Sequence, residues 1–173
     1  MAEKHWVQHQ LSDENAADSL SKDLNIGKDL ATVLLARGIR DLGEAKAFFR
    51  PSLDQLHDPF LMNGMEVAVN RILKSIEQNE NILVYGDYDV DGTSAVALVY
   101  KFISKIHRKT GFYIPDRYAE GYGISFQGVD FAAENGYTLI IALDCGIKSV
   151  DKVAYAKTKG IEFIICDHHL PGE

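Results

Sequence analysis

Asn81-Ile82-Leu83-Val84-Tyr85-Gly86-Asp87-Tyr88-Asp89-Val90-Asp91-Gly92-Thr93-Ser94-Ala95 is the stretch that decides the fold. Its apolar run, 82–85, has the length and composition of a buried strand. The run empties into carboxylates at alternate positions, Asp87, Asp89 and Asp91, followed by Gly92, and a helical pattern opens directly afterwards. Strand, acidic turn and helix start together describe the carboxyl edge of an open α/β sheet, where such folds bind ligands. Three carboxylates this close repel one another unless positive charge lies between them, and a divalent cation is the simplest source of it.

Downstream, strand and helix patterns alternate. Ala95, Val96, Val99, Phe102, Ile103 and Ile106 make an apolar helix opening near Thr93. Lys105, His107, Arg108 and Lys109 at its end read as complements to the helix C-terminus before they read as a nucleic-acid contact. A short strand over 112–114 stops at Pro115, a loop covers 116–123, and a helix covers 125–135. The strand 138–143 ends in Asp144-Cys145-Gly146. Ser149 caps a helix to Lys159, and the strand 161–166 ends in Asp167-His168-His169. This order predicts an α/β fold, a mainly parallel sheet flanked by helices on both faces. All strand ends then point one way, so the three acidic groups project from a single edge.

Upstream, residues 1–64 read as a helical N-terminal leader. Ser12 caps a helix through Leu20, and Asp29 caps one through Ala36 that stops at Gly38. Asp41 with Glu44 forms a capping box for a helix through Phe49, ended by Pro51. Helices this short need a larger surface to lean on. The stretch 52–64, with Pro59 and Gly64, is turn-rich. Met65, Val69, Ile72, Leu73 and Ile76 then form one face of an amphipathic helix that feeds the first strand. The expected division is a helical leader over 1–64 and an α/β domain over 65–173.

A net charge of -7 over 173 residues excludes a chain that coats nucleic acid by bulk positive charge, but not a local, metal-based phosphate site. Cys145 and Cys166 form no CxxC pair, so neither a disulfide scaffold nor a zinc ribbon is expected. No apolar run reaches the ~18 residues of a membrane span, and no signal-peptide core is seen; the expectation is a cytoplasmic protein without membrane contact.

Carboxylates and imidazoles gathered at one edge suit manganese better than a purely oxygen-liking cation. Mixed Asp/His sites hold two ions ~3.5–4 Å apart that clamp a phosphoryl displacement. Asp144, alone at its strand end, is the natural bridge. Asp91 has a competing reading as a helix cap. His168 and His169, adjacent and following Asp167, read as functional, whereas His5, His9, His57 and His107 read as surface or satisfied residues. Tyr118 and Tyr122 are core-edge aromatics or base-stacking platforms, and Arg117 is a phosphate clamp or a solvated charge. An EF-hand loop beginning at Asp87 fails, because its twelfth position is Leu98 and a strand enters it. Asp89-Val90-Asp91-Gly92-Thr93 is also similar to the nucleophile motif of haloacid-dehalogenase-type phosphatases. There, however, the strand runs straight into the nucleophile, and Asp-His-His has no role.

Gly86-Asp87-Tyr88-Asp89-Val90-Asp91-Gly92, Asp144-Cys145-Gly146-Ile147 and Asp167-His168-His169-Leu170-Pro171-Gly172-Glu173 resemble, in order and spacing, the DHH phosphoesterase superfamily. Within it they are most similar to the RecJ family of 5′ to 3′ single-stranded-DNA exonucleases of repair and recombination. Ile114-Pro115-Asp116-Arg117, Glu120-Gly121-Tyr122-Gly123 and the leader residues Ala36-Arg37-Gly38-Ile39, Ala45, Phe48, Phe49 and Pro51 resemble the same family.

The resemblance implies that Asp89 and Asp91 each hold a metal, Asp144 bridges the two, and His168 is a ligand. It makes Asp87 and Asp167 the acids that orient ligands, and His169 a contact to the scissile phosphate or an aid to proton transfer. Arg117 becomes a phosphate contact, and Gly121, Tyr122 and Gly123 the substrate loop. The implied cofactors are two divalent ions, Mn²⁺ ahead of Mg²⁺, and the implied partner is single-stranded DNA. Asp116 stands where the family often carries Asn and adds negative charge beside that phosphate site. The family has a further metal-binding Asp and further domains after Asp-His-His, so the expectation is a truncated catalytic domain with little or no nuclease activity. The alternatives are a short-oligonucleotide or dinucleotide phosphodiesterase, against which the leader and the 121–123 loop speak, and a non-enzymatic metal-binding module.

Overall fold

The structure, a computed structural model, describes His5, Val7 and residues 14–172. The expected cap Ser12, as well as His9 and Glu173, lie outside the described residues. The chain separates into two compact units, Met1–Pro59 and Phe60–Glu173, the division falling within the turn-rich stretch.

In the first unit, α1 (Glu14–Leu24), α2 (Lys28–Ala36) and α3 (Leu42–Phe49) share a small core of Leu20, Ala31, Leu34, Ile39 and Ala45. These short helices thus bury their apolar stripes on one another. α1 runs past Leu20 to Leu24. α2 is capped at Gly27, not at Asp29, because the first helical bond already runs from Ala31 N–H to the Gly27 carbonyl. Asp29 sits instead in the first turn, where its charge favours the helix N-terminus. At α3 the Asp41 side chain accepts from Glu44 N–H at 2.9 Å. The Glu44 carboxylate reaches back to Arg40 N–H at 2.6 Å, one residue ahead of the reciprocal position of a capping box.

In the second unit α4 (Met65–Glu77) feeds β1 (Asn81–Gly86), followed by α5 (Val90–Ile106), β2 (Thr110–Tyr113), α6 (Phe126–Glu134), β3 (Tyr137–Leu143), α7 (Val150–Thr158) and β4 (Glu162–Cys166). The four strands are parallel in the order β2-β1-β3-β4. Strand alternation divides the core between the faces. Ile82, Val84, Leu139, Ile141 and Leu143 pack with Val96 and Ile103 of α5 and with Ile72 and Ile76 of α4. Leu83, Tyr85, Ile140 and Ala142 pack with Val129 and Ala132 of α6 and Ala156 of α7.

Several sequence expectations shift. α5 starts at Val90, ahead of the expected Thr93, and its cap is Asp89, not Asp91. Phe102 and Ile106 of α5 and Leu73 of α4, expected on buried faces, are more than half exposed, because each helix buries a narrower stripe than its apolar content suggests. His107 is a satisfied residue: its ring Nε2 lies 2.6 Å from the Glu80 carbonyl.

At the amino edge of the sheet, Arg71 of α4 binds Ser75, Glu80 (2.9 Å) and Glu162 of β4 (2.5 Å). Glu80 also accepts from Ser75 (3.0 Å) and from Thr138 of β3 (2.8 Å). Burial pushes the Glu80 carboxyl up, but the Arg71, Thr138 and Ser75 donors outweigh it and hold the group below its ordinary 4.5. A depressed folded-state value means that the stabilisation is present above pH 4.5 and is lost as pH falls through the folded value. Glu80→Gln is therefore expected to cost about 1–3 kcal/mol at pH 7. Urea unfolding at several pH values checks this: the gap to the wild type should close as the medium is acidified below pH 4.5.

Candidate metal centre

The register fixes the site. Gly86 pairs with Leu143, and Leu143 pairs with Cys166. The next residue on each strand, Asp87, Asp144 and Asp167, therefore stands level with the others at the carboxyl edge. β1 leads to β2 on one side and β3 lies on the other, so the strand order reverses between β1 and β3, where open α/β sheets form a crevice.

Asp87 is fully buried. Its Oδ1 lies 3.4 Å from Gly123 N–H, and its Oδ2 has no hydrogen-bond partner. The first turn of α5 presses against it: a Cβ on Gly92 would fall 2.5 Å from the Asp87 carbonyl oxygen and 2.7 Å from its nitrogen. Asp89 turns the chain into α5, its Oδ1 accepting from Gly92 N–H at 2.9 Å. Asp144 adopts a left-handed φ of +59°, which Asp tolerates better than most residues, and its N–H donates to the Cys166 carbonyl at 2.8 Å.

The Asp167 side chain is 2 % exposed and accepts from Ile147 N–H (2.9 Å), His169 N–H (3.0 Å) and the His169 ring Nδ1 (2.6 Å). Burial pushes its carboxyl up, but these donors outweigh that and hold it below the usual carboxylate range. The same bond to Asp167 raises the His169 ring above its ordinary value, with the Asp144 and Asp89 charges adding to it. His168 Nε2 lies 3.1 Å from Asp144 Oδ1, and Asp144, His168 and His169 offer ligand atoms within 4.8 Å of one another.

Two neighbours register the charge of this edge. The Cys145 thiol is pushed up to about 12, first by burial and then by Asp87, Asp167, Asp144 and Asp89. The Tyr122 hydroxyl is raised by burial and by Asp87, Asp89 and Asp144. Four carboxylates are thus felt at one place. The Asp144 carboxylate with two imidazoles, and on the neighbouring strand end a buried Asp87 oxygen without a donor among the described residues, make a donor set that fits a divalent cation of manganese type.

The loop between β2 and α6 borders this edge. Tyr122 meets Tyr88 at 6.0 Å and His169 at 6.4 Å, both edge-on, and the Arg117 guanidinium lies 5.3 Å from the Tyr88 ring centre. Among the described residues Arg117 has no ion-pair partner. Asp116 accepts the N–H groups of Ala119 and Tyr118 on Oδ1, both at 2.8 Å, and these bonds hold its carboxyl below the usual carboxylate range, so the negative charge expected there is kept. Gly121 and Gly123 have φ of +85° and +81°, which explains glycine there.

Asp87, Asp89, Asp144, Asp167, His168, His169, Tyr122 and Gly123 are thus joined through contacts or shared electrostatics, whereas Asp91, exposed in the first turn of α5, is not drawn into the group. Sequence reasoning passed over Tyr88. Its position between two aspartates was the available signal.

Fold and site together define the class: residues 81–173 match the DHH family, N-terminal domain, and the chain belongs to that family. It is similar to the single-stranded-DNA-specific exonuclease RecJ of Bacillus subtilis (strain 168), with 38 % identity over 172 residues, 99 % of this chain and 22 % of that protein. Among solved structures it is similar to an exonuclease RecJ bound to manganese, with TM-score 0.60 and 30 % identity over 65 % of this chain and 29 % of that one. It is also similar to RecJ in complex with Mn²⁺ from Thermus thermophilus, with TM-score 0.67 and 25 % identity over 94 % of this chain and 22 % of that one. The chain spans about a fifth of the length of the Bacillus relative.

The close approach at Gly92 is open to test. Gly92→Ala drives a methyl into Asp87 backbone and is expected to cost about 1–3 kcal/mol and to weaken Mn²⁺ binding; denaturant melts and calorimetry on the same samples check both effects.

Proposed function

We propose that this chain carries the metal centre of a divalent-cation-dependent phosphodiesterase that removes nucleotides from single-stranded DNA in the cytoplasm. The observation that carries the reading is the convergence of Asp144 with His168 and His169, from two strand ends, beside the level row of aspartates. Asp89, Asp144 and His168 would hold two ions, Mn²⁺ preferred over Mg²⁺, and Asp91, which stands apart from the group, is assigned to them by the RecJ resemblance alone. The relatives whose solved structures contain Mn²⁺ support the class of ion. When bound, such ions activate water and neutralise charge that develops on the phosphoryl oxygens.

The chain's own residues have separate tasks. Asp167 holds the His169 ring by its Nδ1, which leaves Nε2 to contact the scissile phosphate and move a proton to the leaving oxygen. Asp87, buried against Gly123 N–H, orients the carboxylates around it. Arg117, without an ion-pair partner among the described residues, offers its charge to a substrate phosphate. Tyr122 and Tyr88 offer apolar surface to an unstacked terminal nucleotide, which duplex DNA does not present. Single-strand preference is supported by the specificity that the name of the Bacillus relative carries, and 5′ to 3′ polarity by the RecJ resemblance alone. The four donors named would leave the larger part of the coordination of two divalent ions to water or other ligands. Metal binding is therefore the property expected of this chain by itself, with weak turnover.

Calorimetry or EPR with Mn²⁺ is the first test. The wild type should bind, and Asp144→Asn should lose at least about tenfold in affinity while the metal-free protein is stabilised by about 0.5–2 kcal/mol through relief of repulsion. Absence of binding by the wild type, or an unchanged affinity in the variant, would sink the reading. Where Mn²⁺-dependent release of mononucleotides from single-stranded DNA is measured, Arg117→Ala should raise KM by about 10–100-fold, with kcat changed far less.

A further inference from the structure

The loop that borders the metal centre is held by one side chain. Glu120 Oε1 accepts from Asp116 N–H at 2.8 Å, Oε2 accepts from the Ser125 hydroxyl, and both oxygens lie 3.0 Å from the Tyr113 hydroxyl. Tyr113 is well placed to donate: burial and the bond to Glu120 push its hydroxyl up to about 12, so it keeps its proton.

Behind Glu120 the hydrogen bonds continue into the core, and only the 3.4 Å contact between the Tyr85 and Ser125 hydroxyls could run either way. Ser125 Oγ accepts from Gly128 N–H at 2.8 Å, which caps α6. Ser125 N–H donates to the Tyr85 hydroxyl at 3.1 Å, and that hydroxyl donates to the Gly123 carbonyl at 3.0 Å. Tyr85 is fully buried in β1, two residues before Asp87. Gly123, whose carbonyl Tyr85 holds, faces Asp87 with its N–H. Asp116 answers from the other end of the loop, taking Tyr118 and Ala119 N–H on its side chain and Glu120 N–H on its carbonyl (2.9 Å). Arg117 and Tyr122 lie between these two clamps. Glu120 itself touches no aspartate or histidine of the site.

We infer that Glu120 is a positioning residue: its carboxylate, through Asp116, Ser125 and Tyr85, sets where Arg117 and Tyr122 meet a nucleotide and keeps Gly123 N–H on Asp87. The inference rests on the phosphodiesterase reading above. An ionised carboxylate is required because it only accepts, and all its partners donate. The amide of Glu120→Gln has one accepting oxygen and turns donors toward donors, so it keeps the shape and loses part of the network.

The experiment compares the wild type, Glu120→Gln and a control, Tyr155→Phe, which removes the 2.8 Å bond to Asp130 between α7 and α6, away from the loop. Three quantities are measured: amide hydrogen exchange, Mn²⁺ affinity, and affinity for thymidine 5′-monophosphate with Mn²⁺ present. In Glu120→Gln, exchange at Asp116, Ala119 and Gly123 should quicken by about tenfold while that of 82–85 stays unchanged. The mononucleotide Kd should rise by about tenfold and the Mn²⁺ Kd should hold within about twofold. Tyr155→Phe should leave both affinities at wild-type values, separating positioning from general loss of stability.

Unchanged exchange in the loop, or a loosened loop with unmoved mononucleotide affinity, overturns the inference alone. A wild type that binds Mn²⁺ but no mononucleotide overturns the inference and leaves the metal centre standing. A wild type that binds neither probe overturns the reading of the site, and the inference with it.

Discussion

Mutual repulsion among Asp87, Asp89, Asp144 and Asp167 is the constraint that the second unit answers to. Parallel strands in register bring three of these side chains level, and no rearrangement short of breaking the sheet separates them. Each is handled locally. Asp87 is buried against a backbone N–H, Asp89 is placed at a helix N-terminus where negative charge is favoured, and Asp167 is given two backbone donors and an imidazole. Among the described residues one oxygen of Asp87 is left without a donor, and the Asp144 carboxylate is met on its Oδ1 by the His168 ring. Those are the groups that a cation would satisfy, so electrostatic strain and metal affinity have the same origin.

The two edges of the sheet divide the labour. At the amino edge Arg71 bridges Glu80 and Glu162 within a network that also takes in Ser75 and Thr138, and it stitches α4, β3 and β4 together. At the carboxyl edge like charges outnumber their partners and Asp144 holds a left-handed backbone. Paired charges are concentrated at the amino edge, and tension is kept at the carboxyl edge, where a ligand could relieve it. The loop 116–123 belongs to the second kind of region, yet it is not loose. Glu120 and Asp116 tie it at both ends, so its exposed Arg117 and Tyr122 are carried on a fixed frame.

Much of this was legible beforehand. Apolar runs ended by acids marked the strands, and because parallel strands share a direction, the acids had to meet. The Asp41–Glu44 pair and the Gly38 stop followed from local chemistry that needs no partner. The failures have a common cause. Asp89 and Asp91 are both suitable caps by type, and only the point where β1 ends chooses between them. Phe102, Ile106 and Leu73 were expected inside because they are apolar, but which helical stripe faces the sheet depends on where the sheet lies.

From the residues alone came the class of fold, the single acidic edge and the types of ligand available there, since these follow from periodicity, strand direction and side-chain chemistry. The tertiary structure decided the rest: that Gly86, Leu143 and Cys166 end level, that Tyr88 joins Arg117 to Tyr122, and that Tyr85 reaches from the core of β1 to hold Gly123. Register, ring contacts and long-range hydrogen bonds depend on distances between residues far apart in the chain. Those distances are set by how the sheet and helices pack together, and no local pattern contains them.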